Sequence, residues 1–361
     1  MRYKLKDIFD LQMGKTPSRN NSEYWNTEDY KWISIADLGK TGKYISETKE
    51  YLSESAVTDS GIKVIPANTV VMSFKLSIGK TAITAEDMYS NEAIMAFHDR
   101  HVVDILPEYI YYMFKYKNWD EGSNKAVMGK TLNKATLSEV EIDICSMEEQ
   151  REIVNVLDKM MVVLEDRKAE LALLDDLIKA RFVELFGDPV SNSYDLPEAT
   201  LPDLGELGRG VSKHRPRNDI KLLGGKYPLI QTGDVANAGL YITSYSNTYS
   251  ELGLKQSKMW DKGTLCITIA ANIAKTAILE FDACFPDSVV GFTTNERTNN
   301  IFIHYWFSFF QAILESQAPE SAQKNINLKI LSELKVIVPE KKKQDEFAAF
   351  VKQVDKSKLQ Q

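Results

Sequence analysis

The sequence has few of the residues from which metal centres, disulfide frameworks and acid–base sites are built. Among its 361 residues there are three cysteines (Cys145, Cys266 and Cys284) and four histidines. The cysteines are scattered and odd in number, without the paired spacing of a zinc site, which fits a reducing compartment. The longest apolar stretch, 301–310, is too short to span a bilayer, and no signal-peptide core is present. We therefore expect a cytoplasmic protein that has no membrane segment.

Signatures of common hydrolytic enzymes are missing or incomplete. No His-Glu-x-x-His or Gly-x-Ser-x-Gly arrangement occurs. Gly-Lys-Thr occurs at 14–16, 79–81 and 129–131, but a phosphate-binding loop also needs a glycine five residues earlier. Those earlier positions hold Phe9, Phe74 and Asn124. The pattern therefore argues against nucleotide hydrolysis.

The net charge of −7 argues at first against a nucleic-acid-binding protein. However, residues 148–176 alone hold nine acidic and four basic residues, so most of the excess acid lies in one segment. The hydrophobic content of 43% and the charged content of 26% are typical of globular chains. The length accommodates two domains of ordinary size.

The most informative feature that is present is an internal repeat. Lys-Thr-Ala-Ile at 80–83 returns at 275–278, an offset of 195 residues. Leu-Ser-Glu at 137–139 returns at 331–333, and Gln150 returns as Gln344, both with an offset of 194 residues. A period this long indicates two copies of one domain rather than a solenoid. A duplicated domain suits a target that has two separated halves.

A long helix is predicted over residues 147–186, because apolar residues recur at alternating steps of four and three without glycine or proline. Such a heptad seam requires a partner helix. Residues 339–359 repeat the start of this helix and are its predicted antiparallel partner. The predicted seam consists of Ile153, Leu157, Met160, Leu164, Arg167, Leu171, Leu174, Ile178, Arg181 and Leu185, facing an apolar stripe of Phe347, Phe350, Val351, Val354 and Leu359.

The remaining sequence predicts an α+β fold. Short β-branched runs at 69–74, 264–269 and 335–338 predict strands. Aromatic segments at 109–116 and 301–310 are predicted to be helices packed on their sheets, rather than base-stacking platforms. We expect two tandem mixed α/β domains, separated by long helices that form an antiparallel coiled coil. The expected boundaries are 1–145, 146–187, 188–338 and 339–361.

Each domain opens with a basic loop, 15–19 in the first and 209–217 in the second. Lysine and arginine near small hydroxyls suit phosphate contacts, and an arginine can also bind a guanine edge through two hydrogen bonds. Ordinary solvated loop charges are the alternative interpretation. The residues predicted to contact DNA are Lys15, Thr16, Ser18, Arg19, Lys75, Lys80, Lys130, Asn133, Lys134, Lys213, His214, Arg215, Arg217, Asn272, Lys275, Lys324, Asn325 and Lys329.

Two other functions remain open at this stage. Asp287 with Glu333 and Lys335 imitates the acid and lysine set of a metal-dependent nuclease, although the first copy offers only Glu92 and Glu139 without the lysine. A coiled-coil scaffold that binds only protein explains the seam but not two matched basic loops.

The order of the motifs resembles the specificity (S) subunit of type I restriction–modification systems over essentially the whole chain. The resemblance is carried by Gly-Lys-Thr-Pro-Ser-Arg at 14–19, Ser-Ile-Gly-Lys-Thr-Ala-Ile at 77–83, Met-Glu-Glu-Gln-Arg-Glu-Ile at 147–153 and Phe-Val-Glu-Leu-Phe-Gly-Asp-Pro-Val at 182–190. Two departures are visible. Ser146 stands where the second copy has Pro339, and only 17 residues follow Gln344 whereas 36 lead from Gln150 to Phe186.

This resemblance implies a non-catalytic DNA reader with two target-recognition domains, each of which reads one half of a bipartite asymmetric duplex site. The helices would set the gap and dock two methyltransferase (M) subunits, and restriction/motor (R) subunits would join them. S-adenosylmethionine, ATP and Mg²⁺ would belong to these partners, with no cofactor or metal in this chain. A second copy is a further expected partner for the seam residues that the shorter helix leaves uncovered.

Overall fold

The computed structural model describes residues 1–25, 27–75, 77–119, 132–270, 273–317 and 326–359. The chain divides into two compact units, Met1–Asp166 (unit 1) and Arg167–Gln361 (unit 2), with the boundary inside a long helix. None of the helices in the described part is long and apolar enough to cross a membrane.

Unit 1 is built from short strands and helices and ends in the first half of the long helix. Its strands are β1 (Arg2–Lys4), β2 (Phe9–Met13), β3 (Tyr30–Ile33), β4 (Tyr44–Ile45), β5 (Glu50–Leu52), β6 (Val70–Ser73), β7 (Thr81–Thr84), β8 (Tyr89–Ser90), β9 (Ile94–Asp99) and β10 (Glu141–Asp143). Its helices are α1 (Leu5–Ile8), α2 (Ile35–Leu38), α3 (Glu54–Ser60), α4 (Pro107–Tyr116), α5 (Lys134–Ser138) and α6 (Met147–Phe186), with a 3₁₀ turn at Ser22–Tyr24.

Unit 2 repeats this plan. Its strands are β11 (Glu198–Thr200), β12 (Gly205–Arg209), β13 (Leu223–Leu229), β14 (Tyr241–Ile242), β15 (Asn247–Tyr249), β16 (Met259–Trp260), β17 (Leu265–Thr268), β18 (Thr276–Leu279), β19 (Ala283–Cys284), β20 (Val289–Thr294) and β21 (Lys335–Ile337). Its helices are α7 (Leu201–Leu204), α8 (Thr232–Asn237), α9 (Glu251–Lys255), α10 (Asn300–Gln317), α11 (Leu328–Glu333) and α12 (Lys341–Leu359), with a 3₁₀ turn at Ile220–Leu222.

The sheets of the two units have matching topology. Among the described residues, the largest sheet runs β2-β9-β6-β7-β4 in unit 1 and β12-β20-β17-β18-β14 in unit 2. A second sheet runs β5-β3-β8 in unit 1 and β15-β13-β19-β16 in unit 2, and β1-β10 corresponds to β11-β21. The β6–β7 pairing of Val70 with Ile83 has its counterpart in the β17–β18 pairing of Leu265 with Ile278. The repeat seen in the sequence is therefore a repeat of the fold.

Each main sheet is covered by the aromatic helix of its unit. In α4, Ile110, Tyr111, Tyr112 and Phe114 are buried, and they belong to the same apolar cluster as Val70 and Phe97 of the sheet. The buried aromatic residues of α10 join the corresponding cluster in unit 2. The prediction that these segments pack on their sheets is confirmed.

A buried glutamine ties each long helix to its own unit. Gln150 is fully buried, donates to the carbonyls of Asp104 (3.0 Å) and Cys145 (3.1 Å), and accepts from the Leu106 amide (2.9 Å). Gln344, equally buried, donates to the carbonyls of Arg297 (3.0 Å) and Pro339 (2.8 Å) and accepts from the Thr298 hydroxyl (2.9 Å). Satisfied polar groups of this kind fix a unique arrangement because leaving them unpaired is costly. The repeated glutamine is thus the joint between domain and helix.

The long helix predicted over 147–186 is present as α6, and α12 packs antiparallel against its last part. Phe182 and Phe186 both contact Phe347, with ring centroids 5.3 and 5.7 Å apart. Nearer the other end of α12, Lys358 pairs with Asp175 at 2.5 Å. Arg181 pairs with Glu346 at 3.0 Å, as expected for a charged residue in a seam.

The first part of the predicted seam is largely exposed, as expected from the short second helix. Ile153, Met160, Leu164 and Leu171 are exposed by 40, 55, 51 and 41%. Leu157 of the seam packs on unit 1, together with Val154 and Met161 beside the seam. Of the seam residues, Ile178 is fully buried with Phe347, Val351 and Val354, while Leu174 and Leu185 are partly buried. The heptad pattern identifies an apolar stripe but does not specify which neighbour covers it.

Candidate nucleic-acid interface

The first basic loop follows β2 and is fastened to the strand–loop junction between β8 and β9. The Gly14 amide donates to Ile94 O (3.1 Å) and the Lys15 amide to Ser90 O (2.8 Å). A Cβ atom on Gly14 would lie 2.2 Å from the Asn91 carbonyl, so only glycine fits there. The loop therefore has a fixed base from which its side chains project.

One side chain of this loop, that of Thr16, contacts Glu92. The Thr16 hydroxyl donates to the Glu92 carboxylate. This hydrogen bond is the main reason why the pKa of Glu92 is lowered, and the positive charges of Lys75 and Arg19 lower it further. Of the residues predicted to contact DNA, Thr16 is thus held directly by this carboxylate.

Arg19 packs against two tryptophans of its own unit, although 49% of its side chain stays exposed. Its guanidinium lies 3.8 Å from the centre of the Trp25 ring and 4.8 Å from that of Trp32. It also pairs with the Glu50 carboxylate, with 3.2 Å between Nη2 and Oε2. Because cation–π and ion-pair contacts occupy this group on several sides, Arg19 contributes to the loop's structure. Nearby, Ser18 O accepts from the Trp25 indole at 3.0 Å, and Lys15 Nζ donates to Ser60 O.

The second basic loop follows β12 and has the same attachment. The Gly210 amide donates to Val289 O (2.8 Å), and the Val211 amide donates to Phe285 O (3.2 Å). A Cβ atom on Gly210 would lie 2.3 Å from the Pro286 carbonyl. The backbone frame of the loop is therefore common to both units.

Three arginines converge on Asp287 in unit 2. Arg217 Nη2 lies 2.5 Å from Asp287 Oδ1, and Arg215 Nη2 lies 3.6 Å from Oδ2. Arg209 Nε donates to the backbone carbonyl of the same aspartate at 2.5 Å. The side chains of Arg215 and Arg217 remain 56 and 48% exposed. These guanidinium groups are therefore oriented from one side and open to solvent on the other.

His214 and Lys213 lie beside this cluster. His214 Nε2 is 3.0 Å from Asp219 Oδ2, and the His214 amide donates to the Gln256 side chain at 3.0 Å. The Lys213 amide donates to Gln256 O at 3.4 Å. The pKa of Asp219 is lowered, first by the Lys221 amide and then by His214. These contacts make 213–219 an ordered part of the loop.

Glu92 and Asp287, the anchor carboxylates, occupy equivalent places 195 residues apart. In the structure, Glu92 accepts from Thr16 of the first basic loop, and Asp287 pairs with Arg215 and Arg217 of the second. The nuclease alternative, in which these acids bind a metal ion, does not explain these contacts. Glu333 faces Lys329 at 3.7 Å, and Glu139 holds Lys4 at 2.9 Å and Lys6 at 2.5 Å. Within the described residues no group of three or more histidine, cysteine, aspartate or glutamate side chains could hold a metal ion. The nuclease alternative is therefore not supported.

Other predicted contact residues lie apart from the anchor carboxylates. The Ser73 and Thr268 hydroxyls each accept from the amide of the lysine that closes the turn, Lys80 or Lys275, at 3.1 Å. The Lys80 ammonium extends to Gly39, and Lys275 lines a cavity of about 310 Å³ together with His304 and Asp355.

The last group of predicted residues belongs to α5 and α11. Asn133 caps α5 by accepting from the Thr136 amide at 2.8 Å, and Lys134 is the first residue of that helix. Lys329 lies in α11. Shortly before this helix, the Ile326 amide donates to Ile269 O at 3.0 Å, next to the β17–β18 turn. Four predicted residues, Lys130, Asn272, Lys324 and Asn325, lie outside the described residues.

Sequence reasoning missed the residues that hold the loops. Asp287 and Glu92 were interpreted only as metal ligands, and Trp25, Trp32 and Asp219 were not singled out. One signal was available, because an acid recurs at the same offset as the Lys-Thr-Ala-Ile repeat. Its partners are distant in sequence, so the repeat alone does not identify them.

The two units place this chain in the class of proteins with a duplicated domain, each copy of which carries a basic loop. Comparisons with known proteins identify the family. The model of the type I restriction modification DNA specificity domain matches residues 1–172 and 197–361. The chain belongs to this family, and it carries one copy of the domain in each half.

Several curated relatives are specificity subunits. The chain is 29% identical over 276 residues to the type I restriction enzyme MjaIX specificity subunit of Methanocaldococcus jannaschii, covering 71% of this chain and 62% of the relative. It is 30% identical over 153 residues to the EcoR124I/EcoR124II specificity subunit of Escherichia coli, covering 40% of this chain and 37% of the relative. These alignments thus span less than two thirds of each relative's length.

The fold is also found in solved structures. The S subunit of a type I restriction-modification system from M. genitalium matches 100% of this chain and 90% of that chain, with a TM-score of 0.53 and 15% identity. A structure described as showing complex assembly and conformational transition of the type I R-M system matches 99% of this chain and 90% of its own, with a TM-score of 0.52 and 12% identity. At these identities the likeness establishes the architecture alone.

Proposed function

We propose that this chain is the DNA specificity subunit of a type I restriction–modification complex and that each unit reads one half of a bipartite asymmetric duplex site. The observation that carries the proposal is the repeated frame that presents a basic loop beside an anchor carboxylate. Two equivalent frames with different loop residues suit two different half-sites. Family membership supports the same function.

The proposed subunit performs no chemistry itself. Methylation and cleavage would belong to M and R subunits, which would bring S-adenosylmethionine, ATP and Mg²⁺. In support, the acids that imitated a nuclease site have loop-holding or lysine partners in the structure. The chain's part in the reaction is to select the DNA.

The long helices are proposed to set the gap between half-sites and to dock two M subunits. The exposed stripe of Ile153, Met160, Leu164 and Leu171 on α6 supports a protein-binding role. Exposed apolar stripes of this size mark interaction surfaces in soluble proteins. A second copy of the chain is the other proposed occupant of this stripe.

A binding experiment on the full chain tests the proposal. Selection from a pool of random-sequence duplexes should enrich a motif made of two half-sites, and gel-shift assays should show binding without cleavage, with or without Mg²⁺. The logarithm of the affinity should fall with that of the salt concentration by about 0.9 per neutralised phosphate. Enrichment of no motif would contradict the proposal, as would Mg²⁺-dependent cleavage by the chain alone.

A further inference from the structure

We infer that Asp287 is a positioning residue which fixes the guanidinium planes of Arg215 and Arg217, and that this arginine pair reads a guanine edge in the half-site bound by unit 2. The inference rests on the proposed DNA recognition and makes it specific. It assigns a role to the acid that the sequence had suggested only as a metal ligand.

The first argument is electrostatic. A phosphate contact depends mainly on positive charge and makes few demands on the orientation of the cation. A carboxylate 2.5 Å from Arg217 and 3.6 Å from Arg215 offsets part of that charge. Asp287 therefore weakens these arginines as phosphate ligands. If phosphate binding were the loop's only task, this acid would be a disadvantage.

The second argument is geometric. A guanine presents O6 and N7 side by side, and an arginine binds both only when its plane is correctly aligned. Asp287 lies within ion-pair distance of one Nη2 atom in each guanidinium group, and this attraction limits the orientations that both groups adopt. Arg215 is fixed further, because its Nη1 donates to Ser212 O (2.6 Å) and to His214 O (2.8 Å). Recognition groups held by a supporting carboxylate bind with less loss of conformational freedom.

The third argument comes from exposure. About half of each arginine side chain remains accessible, whereas the Asp287 side chain is 25% exposed. The carboxylate is thus less accessible than the guanidinium groups, and a base can approach the exposed part of Arg217.

Unit 1 differs at the equivalent place. Glu92 accepts from the uncharged Thr16 hydroxyl. Arg19 is as exposed as Arg217 (49 and 48%), but its guanidinium group stacks on Trp25 and Trp32 and pairs with Glu50. The arginine-based reading is therefore assigned to unit 2 alone, and changes at Asp287 should affect one half-site only.

The test compares motifs that the full chain and its variants select from a random-sequence duplex pool. The variants are Asp287→Asn, Asp287→Glu and Arg217→Lys, with Asp282→Asn as a matched control in the same unit. Asp282 is exposed and accepts from the Lys262 amide (2.8 Å), outside the basic loop. Arg217→Lys keeps the positive charge and removes the planar fork.

The unchanged chain should select two half-sites, one of which contains guanine. Asp287→Asn and Arg217→Lys should lower the guanine preference in that half about 5- to 150-fold, the discrimination expected of one bidentate contact. The affinity of Arg217→Lys for non-selected duplex should stay within about twofold, because the charge is kept, whereas that of Asp287→Asn should not fall, because the variant loses a negative charge that offsets the arginines. Asp287→Glu should restore part of the preference, and Asp282→Asn should leave it unchanged.

The outcomes separate this inference from the proposed function. Two half-sites that persist unchanged in Asp287→Asn and Arg217→Lys would overturn the inference and leave DNA recognition intact. An equal loss of affinity on every sequence, or half-sites without guanine, would also overturn it. If the unchanged chain enriches no motif, the proposed function itself fails. Should Asp287→Asn not fold, as judged by its melting temperature, Arg217→Lys decides alone.

Discussion

The two basic loops have the same backbone attachment, but the anchor carboxylate contacts an uncharged hydroxyl in unit 1 and charged guanidinium groups in unit 2. In unit 1, Glu92 accepts from a threonine hydroxyl, and the guanidinium group of Arg19 stacks on two tryptophans while half of its side chain stays exposed. In unit 2, Asp287 holds two exposed arginines. The attachments of Gly14 and Gly210 are nearly identical. The comparison teaches that this fold keeps the loop base and the acid constant and varies the side chains presented to a ligand.

A second difference between the units lies in how each one packs against α6. Unit 1 contacts it through the partly buried Val154, Leu157 and Met161. Unit 2 contacts it through Ile178, Phe182 and Phe186, all of which are fully buried. The end of the helix is therefore a core element of unit 2, whereas its beginning lies on the surface of unit 1.

The largest expected effect is a loss of stability that tests this packing difference. Phe182→Ala removes a ring that contacts Phe186, Phe302 and Phe347 and should lower the free energy of unfolding of unit 2 by about 3–5 kcal/mol. Leu157→Ala in unit 1 should cost about 1–2 kcal/mol, because its side chain is only partly buried. Hydrogen exchange, read separately for amides of each unit, measures both.

Leu164→Ala is the control for this prediction, since Leu164 is 51% exposed. It should change stability by less than about 0.5 kcal/mol. A cost for Leu157→Ala equal to that of Phe182→Ala would show that the two ends of α6 are packed alike, contrary to the structure.

The next expected effect concerns the buried glutamines, where the two units should behave alike. Gln150→Ala and Gln344→Ala each remove three hydrogen bonds from the joint between domain and helix. Each should cost about 2–3 kcal/mol, because buried backbone groups lose their partners. Chemical denaturation measures the loss, and the exposed Gln353 supplies the control Gln353→Ala. If only one of the two glutamines matters, the joints are not equivalent.

Much of the fold was predictable from local sequence. The apolar spacing over 147–186 predicts α6, and the runs that contain β6, β17 and β21 predict strands, because periodicity reports how each segment is buried. The repeat at an offset of about 195 residues predicts the matching sheets. These features depend on residues that are close in sequence or on a comparison of the chain with itself.

The anchor carboxylates and the seam show where such reasoning ends. Asp287 lies about 70 residues from the arginines that it holds, and no local pattern encodes this pairing. Ile178 and Leu164 are both apolar seam residues, but only tertiary contacts determine that Ile178 is buried and Leu164 is exposed. Likewise, Arg19 and Arg217 look equivalent in sequence, and their difference depends on two tryptophans brought in from the next strand and turn.

The smallest expected effect tests that last difference directly. Arg19→Ala removes two cation–π contacts and an ion pair and should destabilise unit 1 by about 1 kcal/mol. Arg217→Ala removes one exposed ion pair, so its cost in unit 2 should stay below about 0.5 kcal/mol. Chemical denaturation of the full chain measures both values.

Arg19→Lys separates the stability that comes from stacking on the tryptophan rings from the stability that comes from the positive charge. Lysine keeps the charge, but it has no planar guanidinium group to stack on the rings. We expect it to recover less than half of the stability lost in Arg19→Ala. Equal stability effects of the Arg19→Ala and Arg217→Ala substitutions would mean that the tryptophans do not engage Arg19. In that case both arginines would be free for a ligand, and the guanine-reading role would no longer be confined to unit 2.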